Sequence, residues 1–141
     1  MPIRPEFRVF YGALWRTVTR PRILARANHR CEQCGVPNYA EVSRIDGAWL
    51  DVKATWSEGV LKLWRDGDGE PLSKRPEGRR RKVRIVLTIA HLNHVAGDDR
   101  DENLRALCQW CHLSYDQLHH AETRAIRKDA ARPLLNAAAS K

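Results

Sequence analysis

Four cysteines stand in two Cys-x-x-Cys pairs, Cys31/Cys34 and Cys108/Cys111. A two-residue spacer lets both thiolates of a pair turn toward one small ion, and two pairs complete a tetrahedral donor set for Zn²⁺. Such a site is closed. Four sulfur ligands leave no position for water or substrate, so the expected role is scaffold rather than catalysis. Disulfides are the alternative, but they belong to an oxidising compartment, of which the chain carries no sign. A redox Cys-x-x-Cys would not explain two pairs. Seventy-three residues separate Cys34 from Cys108, far more than a compact zinc ribbon needs, so a sub-structure must be inserted between the knuckles.

A second set of chemically able residues follows from Thr88 onward, beginning TIAHLNH: His91, His94, Asn103, His112 and Asp116. His112 and Asp116 are four residues apart, so on a helix they share a face and can clamp one ion. Imidazole plus carboxylate, with positions left for water and phosphate, suits Mg²⁺, Mn²⁺ or a similar divalent ion. A strand ending at His91, a loop, and a helix opened by Asn103 could bring His91, Asn103 and His112 to one point.

The elements that would position these groups can be read in turn. In residues 1–30, Val9, Phe10, Ala13, Leu14 and Trp15 recur at helical spacing, and Pro21 could start a second helix. Residues 36–73 look like short strands punctuated by Asp46-Gly47, Glu58-Gly59 and Asp66-Gly67-Asp68-Gly69. Within 48–56, Ala48, Leu50, Val52, Ala54 and Trp56 alternate with Trp49, Asp51, Lys53 and Thr55, as in a half-buried strand with the first set inward. Residues 83–90 form the clearest strand, with Val83, Ile85, Leu87 and Ile89 facing a core. An acidic loop, 97–102, leads to Asn103, with Asp101 as candidate helix cap. A helix is expected from His112 to about Asp129, followed by a fraying Ala-rich tail after Pro133.

The chain of 141 residues is sized for one domain, 1–141, with a basic helical arm (1–30), zinc knuckles (31–112) enclosing inserted strands (36–90), a metal-site helix (112–130) and a tail (131–141). Hydrophobic residues make up 43% and charged residues 30%, enough apolar material for a core and too much for wholesale disorder. No apolar run approaches a membrane span and none follows Met1-Pro2 as in a signal peptide, so a soluble, cytoplasmic protein is expected. The formal charge is +8, and two segments carry all of it. Residues 1–30 hold seven arginines against Glu6. Residues 74–84 hold seven basic residues, among them Arg79, Arg80, Arg81, Lys82 and Arg84, against Glu77. Such clustering favours a polyanionic partner, with backbone phosphate contacts that read no sequence. A solvated loop and a charged helix face would produce the same composition. The five tryptophans suit core packing better than base stacking, and His29, His119 and His120 suit the surface.

Taken together, Cys31-x-x-Cys34-Gly35, His91 at a strand end, Asn103-Leu104 and Leu107-Cys108-x-x-Cys111-His112 resemble the HNH endonucleases of the ββα-metal (His-Me finger) class, in their zinc-stabilised, cysteine-knuckle branch. The resemblance spans roughly residues 23–120. It implies an α+β fold: a small zinc-stabilised ββα-metal core, here with an N-terminal helical arm and an inserted β-hairpin region. It also implies hydrolysis of phosphodiester bonds in DNA, double-stranded in the first instance, with His91 as general base, Asn103 orienting it, and His112 with Asp116 holding a catalytic Mg²⁺ or Mn²⁺. Ala90 stands where the family commonly carries Asp or His. Either water replaces that ligand, or the register shifts so that His94 is the base and Asn93 takes the preceding position. A degenerate site would leave a non-catalytic zinc-knuckle DNA-binding module; a protein-interaction zinc domain is a third, weaker alternative. The small format would suit a phage or mobile-element enzyme working in the host cytoplasm, with a second copy or a helper protein supplying specificity.

Overall fold

Short runs of β-branched and aromatic residues between Asp-Gly turns fold into strands, as their pattern predicts. The computed structural model describes residues 3–55 and 59–139, and these fall into two compact units, Met1–Cys111 and His112–Lys141. The architecture is α+β with antiparallel sheets. Strands β1 (Glu41–Ile45), β2 (Ala48–Thr55), β3 (Gly59–Arg65) and β4 (Arg81–Arg84) form a four-stranded sheet in the order β3-β2-β1-β4, and β5 (Thr88–His91) pairs with β6 (Leu104–Leu107) in a second sheet. The insertion between the knuckles is therefore a full sheet rather than a hairpin. Helix α1 covers Arg20–Arg26 and α2 covers Gln109–Ala139. Among the described residues, no helix is long and apolar enough to cross a membrane.

The core gathers Ile23 and Leu24 of α1, Val36, Trp49, Ile85, Leu87, Ile89, Leu104, Ala106 and Leu107 around the four cysteines. The predicted strand 83–90 keeps its burial alternation, with Ile85 and Leu87 fully buried. It does not, however, stay in one sheet. Between β4 and β5 its backbone turns to residues 38–40: Tyr39 N–H donates to the Ile85 carbonyl (2.8 Å), Ile85 N–H to the Ala40 carbonyl (2.8 Å), and Leu87 N–H to Asn38 Oδ1 (3.0 Å). One apolar run thus serves two sheets.

Other expectations are corrected by packing. In β2 the alternation holds only for Ala48, which is buried; Trp49 and Asp51 of the other set are buried as well, while Val52 is 54% exposed. Trp49 donates through Nε1 to the Cys34 carbonyl (3.0 Å), and Asp51 is held by Arg65 (2.8 Å). A polar group with a buried partner overrides hydrophobic parity. Trp56 lies outside the described residues. Asn103 does not open a helix; it ends a single 3-10 turn, Asp101–Asn103, whose N-cap lacks a side-chain bond. The next residues extend to form β6 because Leu104, Ala106 and Leu107 are all buried against the core. Asp101 instead pairs with Arg22 (2.8 Å). The arm is a 3-10 segment (Pro5–Tyr11) followed after Gly12 by one unbroken helical run over residues 13–26, in which a π-helical turn (Trp15–Thr19) leads directly into α1, so the two expected helices are joined rather than separated at Pro21. Conversely α2 begins at Gln109 and continues past Pro133 to Ala139, where Leu and Ala residues have high helix propensity.

The Asp66–Glu70 turn closes β3 onto the first knuckle. Asp66 Oδ1 accepts from the N–H groups of Asp68 and Glu70, both at 2.9 Å. Gly69 has φ +83°, and a Cβ there would lie 2.8 Å from the Cys34 carbonyl oxygen. Gly69→Ala is therefore expected to destabilise the zinc-loaded protein by about 2–4 kcal/mol, combining backbone strain with overpacking. Gly67, where a Cβ would meet nothing within 4 Å, supplies the control: Gly67→Ala should stay within about 0.5 kcal/mol. Equal urea midpoints for the two variants would show that the turn does not press on the knuckle.

Candidate functional site

The two knuckles meet as the spacing predicts. Cys31, Cys34, Cys108 and Cys111 are all buried, with their sulfur atoms within 4.8 Å of one another. Cys34 Sγ and Cys108 Sγ are 3.8 Å apart, the separation that two sulfurs bound tetrahedrally at about 2.3 Å from one Zn²⁺ would have. Each knuckle aims an amide at its first sulfur: Cys34 N–H at Cys31 Sγ and Cys111 N–H at Cys108 Sγ, both at 3.5 Å. Gly35, with φ +75°, turns the chain out of the first knuckle. The four cysteines are positioned to hold a metal ion, and the donor set suits structural zinc.

Crowding splits the thiols. Hydrogen bonds from Cys108 and the other cysteines lower Cys31 below its ordinary value, and a bond from Cys111 above all brings Cys108 to about 7. The same cluster, with Cys108 the largest cause, pushes Cys34 and Cys111 up. Two thiolates can thus be held by two thiols, but four thiolates require a cation. Arg44 of β1, itself 5% exposed, adds positive charge: its Nη2 lies 3.0 Å from Cys108 Sγ and 3.9 Å from Cys34 Sγ.

His91 closes β5, and its side chain is 7% exposed. Nε2 lies 2.9 Å from Asp99 Oδ1. Trp15 of the arm stacks on the imidazole (centroids 5.4 Å apart, planes at 20°), and Tyr11 meets both rings edge-on. Burial and the Asp99 charge raise the Tyr11 phenol above its ordinary value, keeping it neutral. Asn103, also buried, bonds the loop and not the imidazole. Its Oδ1 accepts from Asn93 N–H (3.1 Å), while its Nδ2 donates to Asn93 Oδ1 (3.0 Å) and to the Asp98 carbonyl (2.8 Å). Asn93 Nδ2 in turn donates to Asp98 Oδ2 (2.7 Å). Arg100 grips the same carboxylate and holds it down at about 2. The chain between His91 and Asn103 is therefore closed by side-chain amides, and Asp99 touches the histidine.

His94 is exposed at φ +58°, its N–H donating to the His91 carbonyl (3.1 Å). Ala90 is 2% exposed and belongs to the core, so position 90 presents its side chain to packing. In the second unit, His112 Nε2 lies 3.1 Å from Asp116 Oδ2, an i,i+4 pair at the start of α2. Among the described residues, the four cysteines are the one group that gathers three or more such ligands; His112 and Asp116 offer two.

Arg79, Arg80, Arg81, Lys82 and Arg84 are all exposed on β4 and the loop before it. Arg80 donates through Nε to Ser43 Oγ (2.9 Å), and Lys82 approaches Glu41 (3.7 Å). Several arm arginines work internally: Arg20 bonds the Leu87 carbonyl, Arg26 pairs with Glu32 and bonds the Asp101 carbonyl, and Arg30 bonds the Gly35 carbonyl. A cleft of about 340 Å³ opens beside the first knuckle. Within it Arg65 and Lys53 both pair with Asp51, and Gln33 donates to Asp68.

No protein-family model matches the chain, and searches of curated proteins and of solved structures find no match either.

Sequence reasoning passed over Asp99, Trp15 and Arg44. Asp99 is one of five acids in residues 98–102 and 116 with no spacing to distinguish it. Arg44 carried a usable signal, since it shares strand parity with buried Val42.

Zinc uptake by the metal-free protein at neutral pH is expected to release about four protons per ion, because the thiols of a chain without the assembled cluster are protonated. Removing the metal with a chelator should abolish the cooperative unfolding transition of residues 1–111. Cys34→Ser should do the same. Proton release measured in weakly buffered solution and near-ultraviolet dichroism check both, and a metal-free protein with unchanged dichroism would show that the knuckles stand without an ion.

Proposed function

We propose that this chain is a metal-dependent DNA endonuclease of the HNH type, with β5 and β6 presenting His91 as its base. The observation that carries the proposal is the setting of His91: a strand-end imidazole held through Nε2 by Asp99, stacked on Trp15, in a loop closed by Asn103. An imidazole anchored through one nitrogen has a fixed orientation and offers the other as base. Asp99, rather than Asn103, is the orienting group in this proposal, and Asn103 is a positioning residue for the loop. His94, exposed on a turn at φ +58°, is the alternative base.

Phosphodiesters resist hydrolysis because their charge repels nucleophiles. His112 and Asp116 would hold a Mg²⁺ or Mn²⁺ ion, whose chemistry is neutralisation of the scissile phosphate and of the departing 3′ oxygen. Two protein ligands suffice for a hard cation that keeps several waters. His91 Nδ1 takes a proton from the attacking water, the new P–O bond forms as the P–O3′ bond breaks, and the products carry 5′-phosphate and 3′-hydroxyl. Arg79, Arg81, Lys82 and Arg84 supply phosphate contacts along the DNA backbone.

Ala90 favours the second reading, a non-catalytic zinc-knuckle DNA-binding module, because position 90 contributes no ligand. Conversion of supercoiled plasmid by the zinc-loaded protein, with Mg²⁺, Mn²⁺ or no added ion, decides between them. Divalent-dependent nicking is expected. His91→Ala and His112→Ala should each lower its rate by about 10²-fold or more, and Asp99→Asn by about tenfold or more, all with unchanged zinc content. Salt-sensitive DNA binding without cleavage under any ion would establish the binding module instead. Cleavage unaffected by His91→Ala would reject that base.

A further inference from the structure

Arg44 lies in the middle of the inserted sheet, paired with Trp49 of β2 and Arg81 of β4. It is 5% exposed, and among the described residues no carboxylate pairs with it. Its Nη1 donates to the Gly47 carbonyl (3.2 Å), and its Nη2 reaches Cys108 Sγ (3.0 Å) and Cys34 Sγ (3.9 Å). A guanidinium cannot discard its proton, so a buried one must find negative charge nearby. The nearest source is sulfur. Four thiolates around one Zn²⁺ leave a net charge of about −2, spread over the sulfurs, and burial prevents water from screening it.

We propose that Arg44 is the charge partner of the metal–thiolate centre, a residue of the inserted sheet that slows metal loss by donating to one sulfur from each knuckle. The need is mutual. With the metal in place the thiolates lack compensating charge without Arg44; without the metal Arg44 loses the charged centre that its burial requires. Metal loss should therefore loosen β1 and β2 as well as the knuckles. Trp49, whose indole bonds the Cys34 carbonyl (3.0 Å), is a second tie between the same strands and the same knuckle. The inference stands apart from the nuclease proposal, since it needs the knuckles and the sheet alone.

The test follows zinc transfer to a chromogenic chelator from the full chain and from Arg44→Met, Arg44→Gln and Arg44→Lys, together with the sulfur-to-metal charge-transfer band of the Co²⁺-substituted proteins. Arg44→Met, matched in bulk but uncharged, is expected to release zinc about tenfold faster or more and to shift the band. Arg44→Lys should recover most of the slow release. If the Met variant does not fold, Gln against Lys carries the same comparison: faster release from Gln supports the charge role, and equal rates overturn it. Release and band unchanged in Arg44→Met would reduce Arg44 to a packing residue. A chain that takes up neither zinc nor cobalt would overturn the proposal outright.

Discussion

Four sulfurs within 4.8 Å of one another cannot all be thiolates unless a cation sits among them. That electrostatic constraint organises the first unit. The knuckles lie at the two ends of the inserted segment, so whatever satisfies the sulfurs also closes the largest loop in the chain. The strands between need no separate anchor: Trp49 and Arg44 reach from the sheet to the Cys34 carbonyl and to the sulfurs themselves. Glu32, inside the first knuckle, continues the linkage by accepting from the Ala106 N–H of β6 (2.7 Å) and pairing with Arg26 of α1 (2.9 Å). A small core made mostly of Ile, Leu and Val is thus supplemented by a polar frame whose centre is a metal site.

The second sheet uses the opposite device, hydrogen bonds without a cation. Leu92 N–H donates to the Asn103 carbonyl, and the Asn103 amide spans Asn93 and Asp98, so a loop that would otherwise be flexible returns to the strand beside its start. Each donor and acceptor in that network is satisfied locally, as a buried amide requires. Roughly one hydrogen bond per residue between His91 and Asn103 works against the entropy of ordering the loop. Its product is an imidazole with one nitrogen committed to Asp99. Packing alone does not account for the pairing with Asp99, since Leu would fill the space against Trp15 without needing a carboxylate.

The metal site was legible because ligand spacing is local: Cys-x-x-Cys fixes its geometry within four residues. Burial parity was legible in 85–89 for a similar reason. What could not be read were decisions made by long-range partners. Trp49 and Asp51 face inward because Cys34 and Arg65 wait for them, and neither partner can be inferred from alternation in β2. Residues 104–107 look helical beside an acidic cap, yet they extend because β5 offers an unpaired edge. The π-helical turn at Trp15 has no sequence signature of its own; it brings Trp15 onto His91, a contact seventy-six positions away in the chain. For the candidate site, the residue types and the strand-end position of His91 were readable, whereas Asp99 and Trp15, which hold it, were not.

The fate of the basic residues follows from the same division between local and distant partners. Arg20, Arg26, Arg30 and Arg44 all donate to backbone carbonyls, so much of the positive charge in the first 44 residues works as hydrogen-bonding hardware. β4 differs. It is an edge strand, and its Arg81, Lys82 and Arg84 are exposed. Charged side chains on an edge discourage pairing with another chain's strand, which alone could justify one or two of them. Seven basic residues in 74–84 exceed that need and repel one another. The DNA backbone of the proposed function, with its regularly spaced negative charge, would offset that repulsion.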